Sequence, residues 1–333
     1  MRKIFYYILI ILFIVACGDS KPDVSSIKID HKIIRFDQDL FALESNDIDK
    51  GINELSIKYG SYWRLYNQGI VGTGNPSRSG FAEYLKKFVY DKNIREVYDS
   101  CSIVFADDSK INRELNLAFK YLKYYYPQVD LPQVYFHISG FNQSQVVDRG
   151  LISVSIDNYL GEKSKFYDML ATPVPMYARS KMNKERVPFD VIKAFALTNF
   201  VYKPVKSNLA NKLIYEGKIL YFLSSLFPDA SEEMIMAYTK DQLLWCEANE
   251  AMAWGFFIEN NYLYNSDHFI MSKYINDAPY TSGMPTDSPG RVASWLGLQI
   301  VKSYMRSNPI KLRDLMNNND YEEILRESNY QPQ

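Results

Sequence analysis

The sequence predicts an α+β domain that is mostly helical, with a small β-sheet. Two β-rich runs, 132–139 and 151–156, lie close together in mid-chain, joined by a loop that holds Gly140 and Gly150. Around them, longer segments repeat apolar residues at helical spacing. No internal repeat and no Pro/Ser-rich linker follows Ser26, so 333 residues with 47% apolar side chains read as one compact unit.

In chain order, 27–34 alternates loosely between apolar and polar residues and predicts a short strand. The stretch 35–41 opens a helix with Asp37 as its N-cap. Helices are expected at 47–58, 79–89 and 110–126, the last closed by Pro127. Between the first two of these, 69–80 holds four glycines and Pro76, so it is a loop; without a G-K-[S/T] ending it is not a phosphate-cradling one. Beyond the strands, helices are expected at 188–201, 207–227, 231–260 with interruptions, and 289–305, the last started by Ser288 as N-cap and Pro289 at the first position.

Composition excludes several functions. With 38 Lys and Arg against 39 Asp and Glu, no global positive field attracts nucleic acid. His31, His137 and His268 are too scattered for a His-Glu-x-x-His zinc motif, so no metal or other cofactor is expected. G-x-S-x-G is also missing. Of three cysteines, at most Cys101 and Cys246 are left to pair once Cys17 is assigned below.

The N-terminus reads as a targeting segment. Arg2 and Lys3 precede an apolar run over 4–15, shorter than the roughly 20 residues of a membrane span. Ile14-Val15-Ala16-Cys17-Gly18 resembles a bacterial lipobox, which implies cleavage after residue 16 and acylation of Cys17. The expected organisation is a signal peptide at 1–16, a lipidated polar tether at 17–26 and one domain at 27–333, displayed in the cell envelope facing the periplasm.

Three helices place polar residues in apolar stripes. Glu216 lies among Leu209, Leu213, Ile219, Leu220, Leu223 and Phe227, with Lys212 one turn back as a possible partner and Lys218 two residues on. Glu247 and Glu250, near Trp245 and Trp254, read as i,i+3 neighbours that serve as an acid/base pair, a salt-bridged network or a solvated face. Arg291 falls in a first helical turn, where the macrodipole disfavours a cation and calls for an acidic partner: Glu216, Glu247 or Glu250. Trp295 and Gln299 share a face that lines a pocket, an interface or the core, and Gly297 marks close approach of another element. The expectation is that Glu216, Glu247, Glu250 and Arg291 converge.

These segments, with Arg35-Phe36-Asp37, Asp157-Asn158-Tyr159-Leu160-Gly161 and the lipobox, resemble the GldB family of gliding motility lipoproteins in the same order along the chain. The resemblance implies a lipid-anchored envelope protein that binds protein partners in the gliding apparatus and the type IX secretion machinery. It also implies a degenerate zincin-like fold, in which 151–156 resembles the edge strand, 191–200 the active-site helix and Glu216 the third metal ligand. Here 191–200 holds no histidine and no acid, so the metal motif is missing and a non-catalytic role is expected. The competing reading is an envelope hydrolase or a glycan- or peptide-binding protein using Glu216, Glu247 or Glu250.

Overall fold

The computed structural model describes residues 21–333; Cys17 and the targeting segment lie outside them. Four strands form one mixed sheet: β1 (Ile34–Arg35), β2 (Gln133–His137), β3 (Gln145–Asp148) and β4 (Leu151–Ser155), in the order β1-β2-β4-β3. The first three in that order run parallel, and β3 pairs antiparallel at the edge, with Val147 opposite Ile152. The strand resembling a peptidase edge, β4, is therefore internal; the edges are β1 and β3, the latter a strand the sequence did not signal. Every residue of β4 is buried, in keeping with a strand covered on both faces.

Of the expected 27–34 strand only Ile34 joins the sheet, followed by Arg35. Upstream, the side-chain amides of Asn112 and Asn116 replace a strand partner: Asn112 accepts from Ile33 N at 3.1 Å, while Asn116 accepts from His31 N at 2.9 Å and donates to His31 O at 2.8 Å. Asp37 is not an N-cap either. It is fully buried and takes a two-pronged contact from Arg35, whose Nε and Nη2 lie 2.9 and 2.7 Å from its carboxylate oxygens.

The N-terminal half is helical around this sheet: α1 (Phe36–Phe41), α2 (Ile48–Tyr59), α3 (Ser61–Leu65), α4 (Phe81–Val89), α5 (Lys92–Val104) and α6 (Ser109–Tyr125). Helix α5 is one that apolar spacing missed, because only Val97 and Cys101 are buried along it; Asp91 starts it by accepting from the amides of Asn93 and Ile94. After the short α7 (Phe166–Met169) and α8 (Met176–Arg179) come α9 (Val187–Asn199) and α10 (Leu209–Leu226). The expected 231–260 helix divides into α11 (Glu232–Met236), α12 (Lys240–Ala248) and α13 (Glu250–Glu259). The last four are α14 (His268–Ile275), α15 (Val292–Ser307), α16 (Leu312–Asn317) and α17 (Tyr321–Glu327).

Helices α10 and α15 form the most extensive helix pairing of the molecule, and glycine sets their separation. A Cβ at Gly217 would lie 2.1 Å from the carbonyl oxygen of Gly297, and one at Gly297 would lie 1.9 Å from that of Leu213. The two backbones touch, which accounts for a glycine inside each helix despite its conformational cost. Cys101 and Cys246 are both buried and unbridged. No helix among the described residues is long and apolar enough to cross a membrane.

Candidate functional site

The residues expected to converge do not pair with one another. Glu216, with 13% of its side chain exposed, pairs with Lys212 at 3.1 Å, the partner one turn back. Glu247 and Glu250 are not on one helix, because the chain breaks at Asn249; Glu247 is exposed, whereas Glu250 accepts from the Tyr330 hydroxyl at 2.6 Å. Trp254 meets the Tyr330 ring edge-on at 5.5 Å, and Trp245 packs half-buried against the core. Lys218 is buried and caps the end of α16, donating to Met316 O at 3.3 Å and to Asn318 O. Burial lowers its pKa to about 8.

Arg291 is not in the first turn of a helix that Ser288 starts. It is itself the N-cap residue of α15, in the left-handed region at φ 65°. The turn before it is wedged against the 277–281 loop: Ser288 Oγ accepts from Thr281 N at 3.2 Å, and Thr281 Oγ1 donates to Pro289 O at 2.6 Å. Gly290 has no room for a Cβ, which would stand 2.3 Å from Ala278 O. This packing holds a non-glycine residue in a disfavoured conformation and aims its guanidinium away from the helix. Its acidic partner is Asp277 at 3.6 Å, not Glu216, Glu247 or Glu250.

Arg291 lines a cavity of about 410 Å³ that also holds Lys181, Arg186, Asp190, Lys193 and Asp277. Four cations face two carboxylates, a net charge of two positive. Each carboxylate is engaged. Asp190 receives Arg186 Nη2 at 3.2 Å and the Tyr159 hydroxyl at 3.0 Å, and Asp277 takes Lys181 as well as Arg291. Lys193, half-buried on the same wall, makes no hydrogen bond or ion pair among the described residues. Burial is the main cause that lowers its pKa, and the Arg291 charge adds to it against the opposing pull of Glu216, Asp190 and Asp277. Lys181 is lowered in the same way, first by burial and then by Arg291. Burial works to raise Asp277, but Arg291, Lys181 and Lys193 together hold its pKa below the usual carboxylate range.

The short helix α11 anchors both guanidiniums. Arg186 donates to Met234 O and Arg291 to Met236 O, the latter at 3.2 Å. Glu232 in turn fixes α11 to α15: its Oε1 accepts from Trp295 Nε1 at 2.8 Å and Gln299 Nε2 at 2.7 Å, while Lys302 reaches its other oxygen. The shared face of Trp295 and Gln299 is thus a clamp on one carboxylate. The sequence reading missed Asp190 and Lys193, although each interrupts the apolar run of α9 by the same criterion that singled out Glu216. It missed Lys181, Arg186 and Asp277 because they sit in short or irregular segments with no periodic signal.

Among the described residues, no group of three or more His, Cys, Asp or Glu side chains is placed to hold a metal ion. No curated protein and no solved structure matches the chain. The profile of the family described as gliding motility protein GldB matches residues 18–332, nearly the full length, and the chain belongs to that family of gliding motility lipoproteins.

Proposed function

We propose that this protein is a membrane-anchored, extracytoplasmic, non-catalytic component that binds protein partners of the gliding apparatus and of the type IX secretion machinery associated with it. Acylated Cys17 is its anchor, and its scaffold descends from a zincin-like peptidase whose metal ligands are gone. The observation that carries the reading is the family match over 18–332. Support for a binding role comes from the cation-rich cavity beside α9, the helix that resembles a peptidase's active-site helix but carries Lys193 and no histidine. The hydrolase reading is weaker, because Glu216 is engaged by Lys212 and Glu250 by the Tyr330 hydroxyl, while Glu247 is exposed on another helix.

Crosslinking in cells followed by a pull-down with the lipoprotein as bait tests the reading. Recovery of motility or secretion components is expected, and their absence, together with normal spreading of a deletion strain, contradicts it. Fatty-acid labelling that is lost in Cys17→Ser is expected for the anchor; label persisting on that variant rejects the assignment.

A further inference from the structure

We propose that the cavity formed by Lys181, Arg186, Lys193 and Arg291 is a binding site for a doubly charged oxyanion ligand, carboxylate or phosphate, with a small apolar group next to the charge. It deepens the partner-binding reading by naming the chemistry presented to this site, and it rests on that reading only for the source of the ligand.

Five observations carry it. The cavity's four cations exceed its two carboxylates by two charges, and both carboxylates already have partners, so the excess is not neutralised from within. Lys193, with no hydrogen bond or ion pair of its own, lines the wall that also holds the two guanidiniums, whose planar forks suit oxyanions. Asn158 lines the same cavity, and its buried Nδ2 has no hydrogen-bond partner of its own. Val174, Ala178 and Ile235 supply apolar wall, which favours a ligand with a hydrocarbon part over a bare ion. The guanidiniums are held in advance by the α11 carbonyls, so binding spends little on ordering them.

The site is also built at a cost in backbone conformation. Arg291 sits at φ 65° because the 288–291 turn is wedged in place, and the result is a guanidinium at the cavity instead of in solvent.

The test uses the detergent-solubilised full-length lipoprotein with three probes: glutarate, acetyl-diglutamyl amide and inorganic phosphate. Isothermal titration is run at up to about 10 mM, enough to reveal a Kd of about 1 mM. Saturable binding by at least one probe is expected, weakened about tenfold or more in Lys193→Met and again in Lys181→Met. Preference for the diglutamyl peptide over glutarate assigns the ligand to a protein segment, preference for glutarate to a free dicarboxylate, and preference for phosphate to a phosphorylated group. The proposal is overturned if no probe saturates, or if Lys193→Met and Lys181→Met both bind as tightly as the wild type. Failure here with partners still recovered by pull-down removes only this inference; oxyanion binding without any recovered partner removes only the partner reading.

Discussion

The α10–α15 crossing and the cavity beside α9 lie within one domain and share α15, yet they are built on opposite principles. At the crossing, two glycines let backbone meet backbone with no space for a methyl group, and the surrounding side chains are apolar and buried. At the cavity, charged groups line about 410 Å³ of open space, with more cations than anions, and two lining residues, Ala237 and Arg291, adopt a left-handed backbone. The first arrangement maximises contact, as a stabilising seam does. The second leaves charge unmatched, which stability alone does not favour, and such departures from internal consistency collect at functional sites.

The largest effect is expected where the crossing is broken. Gly297→Ala puts a methyl 1.9 Å from the Leu213 carbonyl oxygen, so the helices must separate. The loss should be about 3 kcal/mol, at the upper end of overpacking costs and well beyond the ~1 kcal/mol that Ala gains in helix propensity. Chemical denaturation measures it; an unchanged midpoint refutes the close approach.

A second test contrasts a titratable group in the dry interior with those at the cavity. His137 is fully buried against Ser153, to which Tyr62 also bonds, and burial lowers its pKa from 6.5 to about 3. The unfolded chain therefore binds a proton that the native state refuses. Stability is full above about pH 6.5 and falls as pH drops from there toward 3, by roughly 2 kcal/mol at about pH 5. Denaturation curves of the wild type and His137→Gln across this window are expected to differ in slope, the variant being flatter; parallel curves contradict the neutral buried imidazole.

Arg291→Ala comes next. Asp277 keeps Lys181 and is nearly half exposed, so no fully buried carboxylate is stranded, while the left-handed strain stays because Ala still carries a Cβ. The expected loss is about 1 to 2 kcal/mol by thermal denaturation, below the about 3 to 5 kcal/mol that follows when a buried charge is left alone. Arg291→Lys is expected to be intermediate, because an ammonium cannot reach both Asp277 and the Met236 carbonyl with a planar fork.

What the sequence disclosed divides along the same line. Helix α10 and most of α15 follow from apolar spacing, and Gly297 already signalled a close neighbour, because periodicity and glycine cost are local properties. Pairings were not local. Glu216 kept the intrahelical Lys212, which spacing offers, whereas Arg291 took Asp277, in a loop whose position depends on how Gly290 packs on Ala278. The break at Asn249 separated Glu247 from Glu250, and no helix-breaking residue marks it beyond a modest propensity. The cavity itself draws on α8, α9, α11 and several separate loops, so its charge excess exists only after folding.

The central claim is that the cavity's unmatched charge serves binding and not stability, and Lys193→Met tests it most directly. Met keeps the unbranched stem and removes an ammonium that burial already disfavours and that has no ion-pair partner. Melting temperature and colony spreading are measured on the same variant. The account predicts a melting temperature equal to or above that of the wild type together with loss of spreading; a clear drop in melting temperature, or normal spreading of the stable variant, contradicts it.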